Sequence, residues 1–198
     1  DFRSPGGIWT KRQPVQYQQF ISDETSRLED WRRRFEMKQI IDNARPNAAH
    51  LALAQLARVG RMPMLITQNV DGLHQRSGVP EDCLVELHGN STYATCLDCG
   101  MRAELEDQRQ AVEAGDSPKC EACGGLLKAA VVSFGQQMPE DALMRAARAT
   151  QQADLFLVIG SSLVVHPAAQ LPVLAARAGA HIAIINREGT SVDPLADM

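Results

Sequence analysis

Four of the five cysteines share a spacing, and they fall into two Cys-x-x-Cys pairs, Cys96 with Cys99 and Cys120 with Cys123. Paired thiols of this kind have the spacing of metal ligands rather than of a disulfide framework. Gly100 and Gly124 follow the two pairs and permit tight backbone turns, so that paired thiolates can converge on one ion. Because four sulfurs fill the tetrahedral coordination of zinc, the pattern predicts one structural Zn²⁺ with no open position for catalysis.

Other interpretations of the cysteines are weaker. Two redox-active dithiols are the alternative, but neither pair opens a helix after a strand, as such motifs do. The fifth cysteine, Cys83, has apolar neighbours and is interpreted as a small buried residue rather than a nucleophile. Thiolate ligands fit a reducing compartment, which favours the cytoplasm.

Polar residues cluster where three apolar runs end. The first run is followed by residues 67–74, the second by Gly160, Ser161 and Ser162, and the third by residues 186–188. Glycine and serine before a helix supply free N–H groups and hydroxyls for a phosphate, and a later acid such as Glu188 can accept hydrogen bonds from a ribose. Taken singly, each cluster could equally be a tight turn or a helix-start charge. All three ends together favour a nucleotide site.

His88 is the candidate general base. It follows the strand-like residues 84–87, and an unperturbed imidazole titrates near neutral pH. A lone histidine at a strand end is more often structural, but beside a nucleotide site it can accept a proton from substrate.

The elements that must position these residues alternate between strand and helix. The predicted strands are residues 63–68, 154–160 and 181–186, each apolar enough to be buried on both faces. The predicted helices are residues 46–59, 139–152 and 167–178. Such alternation predicts an α/β fold with a doubly wound, mostly parallel, Rossmann-like sheet.

Two stretches interrupt this alternation. Residues 6–45 are polar and helical, and Tyr17, Phe20, Trp31 and Phe35 recur at helical spacing as a packing face. Residues 90–127 hold the four paired cysteines. We therefore predict a Rossmann-like domain formed by residues 1–10, 46–89 and 128–198, and a small discontinuous helical and zinc-ribbon domain formed by residues 11–45 and 90–127.

Composition excludes some classes of protein. The chain has 198 residues, is 44% hydrophobic and carries a formal net charge of -4, so it lacks the basic excess that phosphate backbones require. We expect neither nucleic-acid nor membrane partners, since no apolar run approaches a bilayer-spanning length and no signal peptide is visible. The sequence opens at Asp1 without a methionine, so an upstream segment, which could carry a targeting signal, is expected.

A wider set of motifs resembles the sirtuin family. In chain order these motifs are Phe2-Arg3 with Gly7-Ile8-Trp9, Thr67-Gln-Asn-Val-Asp-Gly-Leu-His74, Glu86-Leu-His-Gly89, Phe134-Gly135, Gly160-Ser-Ser-Leu163 with Pro167-Ala168, and Asn186-x-Glu188. The four-cysteine module is interleaved with them, and the resemblance covers essentially the whole chain. It implies an NAD-dependent protein-lysine deacylase whose partners are acylated-lysine proteins or peptides.

The resemblance also implies a role for each matching residue. The expected NAD-binding residues are Phe2 and Arg3 in a mobile loop, Gln68, Asn69 and Asp71 at the nicotinamide and its ribose, Gly160, Ser161 and Ser162 near phosphate and ribose, and Asn186 and Glu188 at the adenosine. The expected catalytic residues are His88, Asn69 and Asp71. The expected substrate-binding residues are Val132, Phe134, Gly135, Leu163, Val164 and Arg34, with the peptide adding as a strand between residues 132–135 and 162–165.

In the implied reaction the acyl oxygen attacks the ribose carbon and nicotinamide leaves. His88 then acts as general base on a ribose hydroxyl, which attacks the resulting imidate. The products are free lysine, nicotinamide and O-acyl-ADP-ribose. Mono-ADP-ribosyl transfer from the same cofactor is the second enzymatic hypothesis. A non-catalytic zinc-ribbon module is the third, and His88 with Asn69-x-Asp71 argues against it.

The sequence departs from the family pattern in four places. The upstream Gly-Ala-Gly-x-Ser loop is absent from these residues and the sequence stops soon after Glu188, so weak NAD binding is expected of this stretch alone. Phe-Gly-Glu appears as Phe134-Gly135-Gln136, which removes a charge near the peptide. A Tyr-x-x-Arg of members that prefer acidic acyl groups appears as Trp31-Arg-Arg-Arg34, so acetyl, longer and acidic acyl groups all remain open.

Overall fold

The computed structural model describes residues 13–198, so Phe2 and Arg3 lie outside the described residues. The α-helices are α1 (Tyr17–Ser22), α2 (Glu24–Asn43), α3 (Ala48–Arg58), α4 (Leu73–Ser77), α5 (Arg109–Ala114), α6 (Glu140–Gln151) and α7 (Leu171–Arg177). The strands are β1 (Leu65–Thr67), β2 (Leu84–Glu86), β3 (Gly89–Cys96), β4 (Arg102–Glu104), β5 (Leu127–Val131), β6 (Leu155–Ile159) and β7 (His181–Ile185). Short 3-10 helices span Glu81–Cys83, Glu106–Gln108, Ala168–Gln170 and Asp193–Leu195.

The predicted α/β fold class is confirmed. β1 pairs in parallel with β2, and β6 pairs in parallel with β7 in a five-residue register from Leu155↔His181 to Ile159↔Ile185. Helices stand between the paired strands in the sequence, as parallel crossovers require. The antiparallel sheet β4-β3-β5 contains the cysteine-bearing stretch.

Contacts divide the chain into two compact units. Unit 1 comprises the described part of Asp1–Leu51 together with Asn69–Ser77 and His88–Met138. Unit 2 comprises Ala52–Gln68, Gly78–Leu87 and Pro139–Met198. The division into a Rossmann-like and a small domain, drawn from sequence patterns, stays a prediction.

Unit 1 has one hydrophobic core that joins the helical stretch to the cysteine-bearing sheet. Phe20, Trp31 and Phe35 lie in the same buried cluster as Cys96 and Cys120. The aromatic packing face predicted for the helical insert is thereby confirmed, with Tyr17 only partly buried. Asp23 begins α2 by accepting a hydrogen bond from the Ser26 backbone N–H at 2.7 Å, which satisfies one free donor of the first turn.

Unit 2 is built on its two parallel strand pairs. One cluster packs Ala54 and Ala57 of α3 against Leu65 and Leu84 on β1 and β2. A second cluster places Ala175 of α7 with Ile182 of β7. These small and branched side chains allow the helices to approach the strands closely.

Burial on both faces, expected from the apolar run of β6, is wrong for this strand. Leu155, Leu157 and Ile159 are 55%, 40% and 41% exposed, whereas Val158 is buried. The reason is that alternate side chains point to opposite faces of a sheet, and Val158 lies on the face that packs against Leu163 and Ala169. Among residues 13–198, no helix combines the length and the apolar character needed to cross a membrane.

Trp31 tests how strongly the unit 1 core depends on one aromatic residue. Its side chain is fully buried, 5.9 Å from the Phe35 ring between centroids, and its Nε1 has no hydrogen-bond partner among the described residues. We expect Trp31→Ala to lower the free energy of unfolding by about 3–5 kcal/mol, because the cavity cannot refill. Trp31→Phe should cost under about 1.5 kcal/mol, since it keeps a ring and removes an unpaired N–H. Equal losses in denaturant titrations would contradict this packing account.

Candidate functional site

The sulfurs of Cys96, Cys99, Cys120 and Cys123 all lie within 4.8 Å of one another. Cys96 Sγ is 3.5 Å from Cys123 Sγ, and Cys99 Sγ is 3.6 Å from Cys120 Sγ. Tetrahedral Zn–S bonds of about 2.3 Å require sulfurs about 3.8 Å apart, so the donor set fits one zinc ion.

Local backbone hydrogen bonds place each cysteine pair. The Gly100 N–H donates to the Cys96 carbonyl at 3.0 Å, and the Gly124 N–H donates to the Cys120 carbonyl at 2.8 Å. Both glycines have φ +74, a left-handed conformation that costs glycine little. The Cys99 backbone N–H holds the pKa of the Cys96 thiol down, to about 7. The predicted metal site is therefore confirmed as a four-cysteine cluster positioned for zinc.

Unit 1 also holds the loop that follows β1. The Val70 carbonyl, between Asn69 and Asp71, accepts two hydrogen bonds from Ser91: from the backbone N–H at 2.8 Å and from the hydroxyl at 2.6 Å. Asp71 Oδ1 accepts from the Leu73 N–H at 2.9 Å, which fixes the carboxylate at the start of α4. Ser91 therefore ties the loop to the segment that immediately follows His88.

The backbone of His88 is fixed by the residue that follows β5. The His88 carbonyl accepts a hydrogen bond from the Val132 N–H at 2.9 Å, and the His88 side chain is half-buried. The next residue must be glycine, because a Cβ at Gly89, where φ is +73, would lie 1.9 Å from the Ala130 carbonyl oxygen. This close backbone approach sets the position from which the imidazole projects.

Residues 132–135, which we call the substrate segment because substrate binding is predicted for them, leave β5 directly beside His88. The Ser133 N–H donates to the Gln136 side-chain carbonyl at 3.0 Å, and the Gln136 N–H donates to the Ser133 carbonyl at 3.0 Å. The Tyr17 N–H donates to the Phe134 carbonyl at 2.9 Å, while the Phe134 side chain is 46% exposed. Gln136, which replaces the family glutamate, thus closes the turn through its amide.

Arg34 lies on α2 and is engaged by an acid on the same helix. Its Nε and Nη2 donate to the two carboxylate oxygens of Asp30 at 3.2 and 3.1 Å. The Asp30 side chain is 8% exposed, so this ion pair is mostly withdrawn from water.

Unit 2 brings together the polar ends of its strands. Gln68, after β1, donates its side-chain N–H to the Ser161 hydroxyl, after β6, at 3.2 Å. The Ser161 oxygen also accepts from the Leu163 N–H at 3.3 Å, and the Gly160 N–H donates to the Ile185 carbonyl at 2.9 Å. Ligands of parallel α/β sheets collect at these carboxyl ends.

The other predicted site residues of unit 2 follow β6 and β7. Asn186, after β7, donates to the Glu188 carbonyl at 2.8 Å and leaves the Glu188 side chain exposed. Leu163 is buried with φ 52, a strained value for a leucine, whereas Ser162 and Val164 are exposed.

Two residues that contact the segments around the candidate site were not part of the sequence-based prediction. Ser91 fixes the Asn69–Asp71 loop, and no local pattern distinguishes it from any other serine. Lys128 is buried inside unit 1, and its signal was a lysine within the otherwise apolar run of residues 126–132.

Comparison with known proteins identifies relatives along the whole chain. The family model described as "Sir2 family" matches residues 1–167. The NAD-dependent protein deacetylase of Rhodopseudomonas palustris is 52% identical, over all of this chain and 79% of its own length. NAD-dependent protein deacetylase 1 of Bradyrhizobium diazoefficiens is 48% identical, over all of this chain and 78% of its own length. A solved Sir2 structure with a p53 peptide and NAD+ matches with a TM-score of 0.87 at 36% identity, covering all of this chain and 78% of that one.

The cysteine cluster predicts a clear difference between two single substitutions. We expect Cys99→Ser to lose most of the bound zinc and the cooperative unfolding of unit 1, because three thiolates leave the ion incompletely held. Cys83→Ser changes a cysteine of unit 2 outside the cluster and should retain one zinc per chain. Native mass spectrometry measures the zinc content of both variants. A wild-type protein without metal under reducing conditions would refute the assignment.

Proposed function

This chain belongs to the Sir2 family, and on that premise we propose that it is an NAD-dependent protein-lysine deacylase. It releases free lysine, nicotinamide and O-acyl-ADP-ribose from an acylated protein or peptide. The observation that carries the proposal is the fixed arrangement of unit 1, where Ser91 holds the Asn69–Asp71 loop and Val132 holds the backbone of His88.

The chemistry of the strand ends in unit 2 fits a dinucleotide. Gly160 has φ 61°, and a Cβ added there would meet no heavy atom of residues 13–198 within 4 Å, so this part of the structure leaves its backbone open to a phosphate. Ser161 and Ser162 supply hydroxyls, Gln68 supplies an amide, and Glu188 supplies an exposed carboxylate for a ribose. When bound, NAD supplies the glycosidic bond to nicotinamide and the ribose that receives the acyl group.

We assign the proton transfer to His88. An imidazole that is half-buried and held through its backbone can accept the proton of a ribose hydroxyl near neutral pH. Asn69 and Asp71 hold the nicotinamide and its ribose, and the hydrogen bond from Leu73 keeps the Asp71 carboxylate in one orientation. In this assignment Phe2 and Arg3 exclude water from the reacting carbon.

We assign peptide binding to exposed backbone by strand addition. The substrate segment offers Val132, Phe134 and Gly135, whose conformation is fixed by the Ser133–Gln136 turn. Leu163 and Val164 are the contributing residues of unit 2. The zinc ion has a structural role in this account, and its thiolate ligands favour a reducing compartment, for which we propose the cytoplasm.

His88→Ala should lower kcat for deacylation by about 10²–10⁴-fold, because the general base is lost. Binding of NAD and of acyl-peptide should change less than about threefold, since the loops that hold them stay paired. His181→Ala is the matched control, because His181 is exposed on β7 and contacts Asp197 at 3.5 Å. Steady-state release of free lysine measures the rates, and a His88→Ala enzyme with wild-type kcat would contradict the assignment.

The ion pair between Arg34 and Asp30 on α2 bears on the acyl group that the enzyme prefers. We propose that Arg34 lies beside the acyl group and that Asp30 competes for its guanidinium. An acidic acyl group must displace a mostly buried carboxylate, so neutral acyl groups should be preferred.

Asp30→Asn should release Arg34 and raise the ratio of succinyl to acetyl activity about fivefold, the equivalent of about 1 kcal/mol. Asp42→Asn is the control, since it removes an exposed carboxylate from the same helix that pairs only with Lys38 among the ion pairs described. The kcat/KM values of paired succinyl and acetyl peptides measure the ratio. A wild-type preference for succinyl peptide, or an unchanged ratio in Asp30→Asn, would refute the competition.

A further inference from the structure

Lys128 is a buried lysine that the proposed reaction does not use. It lies on β5, its side chain is 1% exposed, and its Nζ donates a hydrogen bond to the Val131 carbonyl three residues along the same strand. A second, longer contact reaches the Ala129 carbonyl at 3.4 Å. The Phe20 ring of α1 lies 5.8 Å from Nζ. A fully buried lysine is uncommon in proteins unless its ammonium is paired.

The Val131 carbonyl needs a donor from outside the β3–β5 ladder. Gly89 pairs with Val131 and Ala94 pairs with Ala129, so the register shifts between these two pairs. Val132 donates its N–H to the His88 carbonyl and therefore faces β3. Because successive residues of a strand face opposite edges, the Val131 carbonyl faces the other edge of β5, where no further strand pairs among residues 13–198. A buried carbonyl without a partner is costly, and Lys128 Nζ supplies the hydrogen bond that β3 does not.

The Val131 carbonyl, which accepts the hydrogen bond from Lys128, lies directly before the substrate segment. The next residue, Val132, donates its N–H to the His88 carbonyl at 2.9 Å and begins the substrate segment. Val131 is therefore the last residue of β5, directly before the residue that contacts His88 and begins the proposed peptide-binding backbone. A shift of this peptide group would move both.

We propose that Lys128 is a positioning residue for deacylation: its buried Nζ fixes the Val131 carbonyl and thereby aligns the substrate segment with His88. The proposal rests on the proposed function for its effect on catalysis. The effect of Lys128 on the position of the Val131 carbonyl is inferred from the hydrogen bond and does not depend on the proposed function.

The charge of Lys128 is governed by its surroundings. Burial lowers the pKa of Lys128 to about 7, the positive charge of Arg34 on α2 acts in the same direction, and Asp30 on α2 opposes it. The unfolded chain keeps an ordinary lysine pKa of about 10.4, so it binds more protons than the folded chain between about pH 7 and 10. Stability contributed at this position therefore rises with pH across that window and is constant below it.

The direct test is Lys128→Met, which keeps the apolar stem and removes the donor. We expect kcat/KM for an acetylated peptide to fall about tenfold, the cost of one buried hydrogen bond, while KM for NAD stays within about twofold. Hydrogen exchange at the Val132 amide should be about tenfold faster in the unliganded variant. The stability of the wild type relative to Lys128→Met should increase from about pH 7 to about pH 10.

Lys38→Met is the matched control, because it removes an ammonium of unit 1 that pairs with Asp42 on the surface of α2. It should leave peptide kinetics, exchange and the pH response unchanged. Lys128→Arg restores a donor and should return peptide kcat/KM to within about threefold of wild type. A role limited to filling space predicts no such rescue.

Where Lys128→Met does not fold, Lys128→Gln replaces it, since a neutral amide is less costly to bury and is too short to reach the carbonyl. A folded, zinc-bearing variant with unchanged peptide kcat/KM and unchanged Val132 exchange would overturn the proposal. A wild type that consumes no NAD with any acyl-peptide would refute the proposed function instead. The positioning role would then be decided by hydrogen exchange and the pH response.

Discussion

The antiparallel pairing of β3 with β5 is the constraint on which unit 1 depends. At one end of this ladder Cys96 closes β3, and Leu127 opens β5 shortly after Cys123. At the other end Gly89 pairs with Val131, next to His88 and the substrate segment. A metal ion held at the first end therefore fixes the strand that presents the candidate base at the second. This gives a physical route by which a zinc ion without an open coordination position can still determine activity.

The two units hold their candidate site residues by different kinds of contact. In unit 1 the candidate reacting groups are held by backbone contacts, namely Ser91 on Val70, Val132 on His88 and the close approach of Gly89 to Ala130. In unit 2 the strand ends are held by the side-chain contact of Gln68 with Ser161. Backbone fixation suits a base that must keep one position, whereas hydroxyls and free N–H groups can adapt to a phosphate.

Features that depend on residues close together in the sequence were predicted. Cysteine spacing predicted the cluster, apolar runs predicted β1, β6 and β7 to within two residues at each end, and helical spacing predicted the aromatic core. Features that depend on distant residues were not predicted. The apolar run of β6 could not reveal that alternate side chains are exposed, because this depends on what covers the sheet. The partner of Ser91 lies 21 residues away, and a lysine in the sequence does not indicate a donor folded onto its own strand.

The most direct measurement of the central claim is the product stoichiometry of a single reaction. The protein is incubated with NAD and a peptide carrying one acetyl-lysine, and the products are quantified by mass spectrometry. The account predicts equal amounts of free-lysine peptide, nicotinamide and O-acetyl-ADP-ribose. Nicotinamide released together with ADP-ribose attached to protein, while the peptide stays acetylated, would contradict it.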